Sequence, residues 1–570
     1  MKRLLLISWI FLLSISFGLT KADVRMPLIF GDHMVLQQDT KIAIWGWADA
    51  GETIEVAFAG QKVRTTAHSD GTWKVNLKPI KTKKDGQTLT ITGKNKLAYS
   101  DVLVGDVWVA SGQSNMEWGI KVRKEYADDI AGSEDPLLRL FFVPKNTALQ
   151  PLTDIEVPQG TASPERAARW VLCTPEMLAK INGQGFSATA YYFARDMRAA
   201  NGRPLGVIQS AWGGTRAEAW TSLSGLKQEP ALAHYVTAYE KNVKDNPEIL
   251  ATYPRKQKEF DEAVREWDKT VGKEWNQAQK EWAIAVKAAQ ADGKPAPPKP
   301  QPRVPRPPNP RKPHGGNNGP SNLFNAMISP LIPLSIKGVI WYQGEFNSGG
   351  SAKEYATLFS RMIMDWREKW GIGDFPFVYV QLPNFEPVDQ QPSVEGNGWR
   401  WVREGQLKAL NLPNTAMAVT IDVGDPFDLH PVDKYDVGHR LALAARRLAY
   451  GEKVVGMGPL YKKMSVKGNK IILEFTNQGK KLMMGTSPYI PAGEPPRPKP
   501  TKLTGFGIAG ADRKFVWADA VIEGNKVIVS SSEVAVPVAV RYGFSNSPRC
   551  NLYNEKGLPA SPFRTDNWDK

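Results

Sequence analysis

The sequence predicts an α/β protein whose central parallel sheet is flanked along the chain by two β-rich regions. In the middle of the chain, apolar runs of strand length alternate with amphipathic helical patterns, which is typical of a parallel sheet covered by helices on both faces. The segments 24–101 and 453–570 instead contain short stretches of alternating polar and apolar residues separated by turn residues. Regular short strands of this kind indicate small β-sandwiches.

The middle region supplies six predicted strands and three predicted helices. Each predicted strand is a continuous apolar run, as expected where both faces of a sheet are covered. The strands are 102–110, 138–143, 205–212, 336–343, 377–382 and 416–422, and the helices are 188–200, 355–370 and 437–450. We therefore predict an α/β domain over 102–452, between an N-terminal β-sandwich domain at 23–101 and a C-terminal β-rich domain at 453–570.

A polar, then helical, then Pro-rich insertion at 227–319 interrupts the α/β domain. Apolar residues recur in it at alternating spacings of three and four, which predicts a stripe along one long helix: Phe260, Val264, Trp267, Val271, Trp275, Ala278 and Trp282. The stripe is either a sugar-stacking or partner surface, or a face that packs on the protein's own domain or a helical neighbour. The basic, Pro-rich part, 294–312, predicts a solvated linker. Because the insertion enters between the strands at 205–212 and 336–343, we expect it to overhang their loops.

Residues 1–22 predict a signal peptide. They comprise a charged Met-Lys-Arg start, an apolar stretch over 4–19 and a Thr-Lys-Ala end, which is the pattern of an exported precursor. Cleavage before Asp23 would place the protein in the periplasm or outside the cell. The apolar stretch is short for a spanning helix and no later segment is long and apolar enough, so no stable membrane insertion is expected after cleavage. An uncleaved N-terminal anchor is the alternative.

Charge and cysteine usage narrow the function classes. The net charge is +15, but much of the excess lies in 294–312 and no nucleic-acid-binding motif accompanies it, so nucleic acid is not an expected partner. An anionic glycan fits the charge better. The two cysteines, Cys173 and Cys550, exclude a disulfide framework, and because they lie in different predicted domains we expect both to be free. The six histidines show no metal-ligand spacing, and we expect neither a metal nor a cofactor.

Four of the predicted strands are followed by residues that carry chemistry. In chain order these are Ser114, the pair Gly213 and Gly214, Asn347, and His430. The carboxyl ends of strands in a parallel sheet meet at one edge, so we expect these residues to converge. A serine hydroxyl needs a base to take its proton, and His430 is the natural base. The N–H groups of Ser114 and of Gly213 or Gly214, with the Asn347 amide, are predicted to form an oxyanion hole, in which each donor contributes about 3–4 kcal/mol.

This order of residues resembles the SGNH hydrolases, which are named for a Ser, Gly, Asn and His. More closely, the chain resembles the sialate O-acetylesterase branch, through motifs that are spread over most of its length. They are Val-Trp-Val-Ala-Ser-Gly-Gln-Ser-Asn-Met at 107–116, Trp-Tyr-Gln-Gly-Glu at 341–345, Asp-Leu-His-Pro at 428–431 with Lys434, Met-Val-Leu-Gln-Gln at 34–38, Trp-Gly-Trp-Ala-Asp-Ala-Gly at 45–51, Val-Ala-Val-Arg-Tyr at 538–542 and Gly-Leu-Pro-Ala-Ser-Pro-Phe at 557–563.

The resemblance implies an SGNH-type three-layer α/β/α fold and the removal of O-acetyl groups from sugars. The reaction would pass through an acetyl-enzyme on Ser114 and would use no metal. A sialic acid or another O-acetylated glycan would be the substrate. Two alternatives stay open: an esterase of acetylxylan or another polysaccharide, and a non-catalytic glycan-binding protein on the same fold.

The third member of the predicted catalytic group is left open. Many SGNH hydrolases have an Asp three residues before the catalytic histidine, but Phe427 occupies that position here. Asp428 is our first candidate to orient His430, and Asp425 or a loop carbonyl is the alternative, since either would fix the imidazole tautomer.

Five residues near the predicted strand ends are candidates for binding the substrate. They are Gln113, Arg216, Trp341, Gln343 and Glu345. Arg216 would pair with the carboxylate of a sialic acid, and a surface ion pair is its alternative. Trp118, Trp212, Trp341 and Tyr342 would offer faces for sugar stacking unless they belong to the core. Glu345 would act either in catalysis or as an acceptor for local backbone N–H groups.

Overall fold

The computed structural model describes residues 23–568 except 162–166, 292–296, 393–397, 427 and 488–497. The predicted signal peptide and Phe427 therefore lie outside the described residues. Within the part of the chain that the structure describes, no helix combines the length and apolarity needed to cross a membrane. Cys173 and Cys550 are both free, as expected.

The N-terminal region consists mainly of short strands. They are β1 (Val35–Gln37), β2 (Ile42–Trp47), β3 (Thr53–Phe58), β4 (Gln61–Thr66), β5 (Thr72–Leu77), β6 (Lys83–Thr92) and β7 (Lys96–Gly112). β2 pairs with β5, and β3 pairs with β4 and β6, all antiparallel. The alternating stretches at 41–45, 53–58, 73–77 and 89–92 predict strands, and each overlaps one of these.

One long strand, β7, joins the N-terminal region to the central sheet. Its first six residues alternate between exposed and half-buried and pair with β6, whereas every residue from Val102 onward is buried. Burial therefore changes at 101/102 within one strand, whereas pairing with β6 continues to Val104 and pairing with the central strands begins only at Asp106.

The central sheet is mixed but mostly parallel. Its other strands are β8 (Asp135–Phe142), β9 (Trp170–Cys173), β10 (Leu205–Ala211), β11 (Gly338–Tyr342), β12 (Phe377–Gln381) and β13 (Thr415–Val419), in the order β13-β12-β11-β7-β10-β8-β9. All neighbours are parallel except β9, which runs antiparallel to β8. The α/β class is confirmed, and the expectation of an all-parallel sheet is wrong only at this short edge strand.

Ten α-helices accompany the strands. They are α1 (Ser114–Glu117), α2 (Ala127–Ala131), α3 (Pro175–Lys180), α4 (Ala188–Asn201), α5 (Leu223–Lys227), α6 (Ala233–Trp267), α7 (Lys273–Ala291), α8 (Tyr355–Trp370), α9 (Trp399–Lys408) and α10 (Lys434–Tyr450), counted over the described residues. The three helices predicted in the α/β domain correspond to α4, α8 and α10. α4 and α10 pack closely at Gly438, where a Cβ atom would lie 2.6 Å from the Cβ of Tyr192.

The insertion forms a helical arm whose Pro-rich return lies along its own helix. A π-helical turn (Asp268–Gly272) joins α6 to α7. The indole N–H of Trp267 donates to the carbonyl of Val304, and that of Trp282 donates to the carbonyl of Pro297, both at 2.8 Å. The tryptophans of the apolar stripe therefore contact the returning chain, while most residues of 297–312 are exposed, so this segment is solvated but lies against the helix.

The C-terminal region forms antiparallel sheets around a second core. Its strands are β14 (Leu460–Lys467), β15 (Lys470–Thr476), β16 (Leu482–Met484), β17 (Phe506–Ala509), β18 (Val516–Trp517), β19 (Asp519–Glu523), β20 (Lys526–Ser530), β21 (Ala539–Tyr542), β22 (Leu552–Asn554) and β23 (Phe563–Arg564). Buried polar contacts dock it onto the α/β region: Arg403 donates to the carbonyls of Ser545 and Asn546, at 2.7 and 2.9 Å.

Candidate active site

Three of the predicted site loops leave the sheet side by side. β7 lies between β10 and β11, with Gly112 opposite Ala211 on one side and opposite Tyr342 on the other. The N–H of Gln113 donates to the carbonyl of Tyr342 at 2.9 Å, and that of Trp212 donates to the carbonyl of Gly112 at 3.1 Å. The loops that carry Ser114, the two glycines and Asn347 therefore begin side by side at the same edge of the sheet.

Ser114 is the first residue of α1, directly after a turn that requires glycine. Gly112 has a φ of +136°, and a Cβ atom there would lie 2.1 Å from the carbonyl oxygen of Tyr342. The glycine loop comes equally close, since a Cβ atom on Gly213 would lie 3.1 Å from the Cβ of Ser114. The N–H of Ser114 donates to no described residue. The serine thus has a free amide and a close glycine backbone beside it.

A charged pair not expected from the sequence occupies one of the two glycine amides. Glu117, the last residue of α1, accepts a hydrogen bond from the N–H of Gly213 and forms an ion pair with Lys145. The N–H of Gly214 has no acceptor among the described residues, while its carbonyl accepts from the Asn318 side chain at 2.8 Å. Of the two glycines, Gly214 therefore has the unoccupied donor. Asn318 belongs to the end of the insertion, so the insertion supports this turn.

The His430 ring lies against the nucleophile segment. It stacks on Trp118 with ring centroids 4.5 Å apart and an interplanar angle of 17°. The N–H of Trp118 donates to the carbonyl of Ser114 at 2.8 Å, so Trp118 contacts both His430 and Ser114. The Nε2 atom of His430 is buried and has no hydrogen-bond partner among the described residues, Ser114 included. The ring nitrogen that would take a proton therefore has no hydrogen-bond partner among the described residues.

Asp428 supports the histidine mainly through its backbone. Its Oδ1 accepts the N–H of His430 at 2.8 Å and lies 3.7 Å from the ring Nδ1, which is longer than a hydrogen bond. Its other oxygen pairs with Arg123. Asp425 in turn accepts the N–H of Asp428 at 3.1 Å. Asp428 is therefore the carboxylate nearest to the ring in this chain of contacts, with Asp425 behind it.

The surroundings of His430 favour a neutral imidazole. Burial lowers the pKa of His430, and the nearby positive charges of Lys434 and Arg123 lower it further, while Asp428 raises it. A neutral ring is the form that accepts a proton. The site therefore contains a base that stays available below the usual titration range of histidine.

Asn347 lies in a 3₁₀ turn (Glu345–Asn347) and belongs to a buried polar cluster. Its amide donates to Glu218 at 3.0 Å, and its carbonyl oxygen accepts from the N–H of Ala217 and from Gln343, at 2.9 and 2.7 Å. Burial raises the pKa of Glu218. One of the two amide hydrogens of Asn347 is therefore used inside the protein.

The structure buries four of the five candidate substrate-binding residues: Gln113, Trp341, Gln343 and Glu345. Trp341 packs among Trp220, Phe359 and Trp366 in the core. The other three bond to neighbouring loops, as when Gln113 accepts the N–H of Phe346 at 3.2 Å. In this structure the polar side chains at these buried strand ends satisfy local backbone groups, and their contact with a sugar stays a prediction.

Arg216 is the candidate that faces solvent. Its side chain is 45% exposed, and its guanidinium lies 5.1 Å from the ring centroid of Phe346, which is itself exposed. The nearest carboxylate is that of Glu218, at 4.0 Å. The N–H of Arg216 donates to Asn318 at 3.0 Å. An exposed cation beside an exposed aromatic ring thus follows the glycine turn.

Comparison with known proteins identifies the family. Residues 318–447 match a family model described as a carbohydrate esterase, sialic acid-specific acetylesterase. The chain is 31% identical to sialate O-acetylesterase of Rattus norvegicus, over 95% of this chain and 94% of that protein, and 28% identical to the human enzyme, over 95% and 92%. The crystal structure of a carbohydrate acetylesterase from Xanthomonas citri is 35% identical and superposes with a TM-score of 0.72, covering 96% of this chain and all of that one. The resemblance drawn from the motifs is confirmed: the chain belongs to the sialate O-acetylesterase family and is a carboxylic ester hydrolase.

Proposed function

We propose that the protein removes O-acetyl groups from sialic acids by transferring the acetyl group to Ser114 and then to water. The observation that carries the proposal is the Nε2 of His430, which is buried, has no partner among the described residues, and lies beside Trp118 next to the segment that carries Ser114. The family of the chain supports the same chemistry. An imidazole of lowered pKa next to a serine is the arrangement that acyl transfer requires.

The reaction proceeds in two steps. His430 takes the proton of Ser114 as the oxygen attacks the acetyl carbonyl, and the imidazolium then gives that proton to the departing sugar oxygen. In the second step His430 takes a proton from water, which attacks the acetyl-enzyme, and returns it to Ser114 as acetate leaves. Asp428 is the third member of the catalytic group. It accepts the backbone N–H of His430, and its negative charge favours the imidazolium.

The oxyanion of each tetrahedral intermediate is held by neutral donors. We assign these to the N–H groups of Ser114 and Gly214 and to the second amide hydrogen of Asn347. Gly214 is preferred to Gly213 because the amide of Gly213 donates to Glu117. Donors that are fixed before the reaction need no reorganisation when the charge forms.

Arg216 and Phe346 are assigned to the sugar. The carboxylate of a sialic acid fits the guanidinium, and the glycerol-bearing face of the ring fits the aromatic side chain. The alternative substrate is a neutral polysaccharide such as acetylated xylan. The structural neighbour, described only as a carbohydrate acetylesterase, is compatible with either substrate. Both substrates carry the same acetyl ester, but only the sialic acid has a carboxylate that needs the Arg216 cation.

A panel of acetylated sugars tests the substrate. We expect acetate release to be fastest from O-acetylated sialosides, and Arg216→Met to raise KM for them by roughly 10-fold or more, as the loss of a charge-assisted hydrogen bond implies. KM for acetylxylan should not change. Arg255→Met, on exposed α6, is the matched control. Faster release from xylan, with no effect of Arg216→Met on any substrate, would assign the enzyme to neutral polysaccharides.

The pH dependence tests the base. The neutral form of His430 is active, so we expect kcat/KM to fall as the pH is lowered, with a midpoint below the ordinary imidazole value of about 6.5. The midpoint is displaced downward because burial, Lys434 and Arg123 lower the pKa of His430. The profile is measured with an aryl acetate. A rate that stays flat down to about pH 4 would argue against an imidazole base.

The export and domain assignments complete the proposal. Cleavage of residues 1–22 would deliver the enzyme to the periplasm or the extracellular space, where glycans are available. The β-rich regions at 23–101 and 453–570 would flank an SGNH-type α/β/α domain. N-terminal sequencing of the protein purified from cell fractions tests the cleavage before Asp23.

A further inference from the structure

The loop that carries His430 has no regular secondary structure but is held by side chains from several parts of the chain. Four consecutive carbonyl groups each accept a hydrogen bond from a different side chain: Leu429 from Asn115, His430 from Arg123, Pro431 from Lys434 and Val432 from Tyr126. Two of these donors, Asn115 and Lys434, are also bonded to each other. The loop is therefore fixed on both sides of the catalytic imidazole.

Asn115 is the residue that joins this loop to the nucleophile. It follows Ser114 directly and is fully buried. Its amide nitrogen donates to Glu345 at 2.6 Å and to the carbonyl of Leu429 at 3.0 Å. Its amide oxygen accepts from the Lys434 ammonium at 2.5 Å. All three hydrogen bonds of this amide therefore connect α1 to other parts of the chain.

Lys434 completes the connection from the other side. Its side chain is buried at the start of α10, and its ammonium donates to Asn115 and, at 2.8 Å, to the carbonyl of Pro431. The same ammonium lies 5.7 Å from the ring centroid of Tyr342. Glu345, buried on the far side of Asn115, has one carboxylate oxygen without a hydrogen-bond partner among the described residues.

We propose that Asn115, Lys434 and Glu345 are positioning residues that hold the loop of His430 and the loop of Ser114 together as one rigid unit. The inference rests on the proposed function, since it assigns roles around the same serine and histidine. A buried Lys, Asn and Glu cost desolvation energy that an apolar cluster of the same size would not. Their geometry explains the set: only donors and acceptors in this order bridge residues 114–115 to both neighbours of His430.

The charge of Lys434 gives the unit a second effect. The charged groups that face His430 are Arg123, Asp428 and Lys434. Burial lowers the pKa of Lys434 to about 7, and Glu345, Asp428 and Asp433 oppose that shift while Arg123 adds to it. Whenever Lys434 is protonated, its ammonium adds a positive charge to the surroundings of His430. Its positive charge disfavours the imidazolium and keeps the base neutral.

The test compares Lys434→Met with Tyr126→Phe. Both remove one donor to the His430 loop, but only the first removes a charge and the link to Asn115. We expect Lys434→Met to lower kcat/KM by roughly 10²-fold, as for a catalytic group displaced by about an ångström. The His430 pKa, followed by NMR of the imidazole, should rise by about half a unit or more. Tyr126→Phe should lower activity by only a few-fold and leave that pKa unchanged.

A second variant separates geometry from charge. Lys434→Gln keeps a donor and loses the charge, so it should recover part of the rate while showing the same pKa rise, and it carries both readouts if Lys434→Met does not fold. The positioning role would be overturned if Lys434→Met and Lys434→Gln both had wild-type rates. It would also be overturned if the His430 pKa moved no more in these two variants than in Tyr126→Phe. Persistent activity of Ser114→Ala would instead overturn the proposed function, so the two failures are distinguishable.

Discussion

Ser114→Ala is expected to lower kcat for acetyl-ester hydrolysis by at least about 10⁴-fold, because residues that act as a catalytic unit lose nearly the whole rate when the nucleophile is removed. The side chain stands at the start of α1, beside the glycine loop and with its own amide unoccupied. Substrate affinity should change little, since the sugar is bound by other residues.

The matched control is Ser111→Ala, three residues earlier in β7. The hydroxyl of Ser111 is fully buried and has no hydrogen-bond partner among the described residues, so its removal should leave both folding and turnover nearly intact. Mass spectrometry of the wild-type enzyme quenched during turnover should show an acetyl group on the peptide that contains Ser114. If Ser114→Ala hydrolyses the ester at the rate of the Ser111 control, the acetyl-enzyme mechanism is wrong.

The convergence of the site loops could be predicted because it depends on strand order rather than on side-chain detail. A run of buried apolar residues identifies a strand, and the residue that follows the run lies at the edge of the sheet. Ser114, Gly213 and Asn347 were identified in this way, and their loops do leave adjacent strands. β9 was missed because four residues, Trp170–Cys173, provide too short a pattern to distinguish from a loop.

The contacts that tune the site could not be predicted, since each joins side chains far apart in the chain. The pair of Lys145 with Glu117 comes from a loop after β8, and no periodicity indicates it. Nor does any pattern around Lys434 indicate that its side chain is buried, with the ammonium donating to the carbonyl of Pro431 in the loop before α10. For Trp341 the sequence left a sugar-stacking face and a core position both open, because a strand-end tryptophan looks the same in sequence in either place.

The helical arm formed by the insertion shows what an apolar pattern in the sequence can and cannot predict. The stripe over 260–282 predicted correctly that one face of a long helix needs cover. The partner was missed, because a Pro-rich segment rich in Lys and Arg has the composition of a solvated linker. Its carbonyl groups nevertheless accept from the indoles of Trp267 and Trp282, and Arg303 pairs with Glu274 at 3.3 Å. The backbone of the return segment accepts these indole hydrogen bonds, and its side chains add cation–π contacts of Lys299 with Trp282 and of Arg306 with Phe260.

His430→Gln is expected to reduce kcat/KM by about 10²–10⁴-fold, the usual contribution of a general base. Glutamine retains a polar side chain of similar reach but cannot take the proton of Ser114. The remaining rate should also lose its acid limb, because the group whose protonation causes that limb is absent. An aryl acetate, which has a good leaving group, should be affected less than a sugar ester, because the departing sugar oxygen needs the proton that the imidazolium supplies.

The same substitution at His439 provides the control. His439 lies on α10, is 39% exposed and bonds to Asp196 at 2.5 Å, so His439→Gln removes an imidazole from the same region without touching the nucleophile. Added imidazole should restore part of the activity of His430→Ala, since the ring leaves a space beside Trp118, and should not affect the His439 variant. If His430→Gln and His439→Gln hydrolyse the sugar ester equally well, with the acid limb unchanged in both, another group must activate Ser114, because a base that can be removed without cost takes no proton in the rate-limiting step.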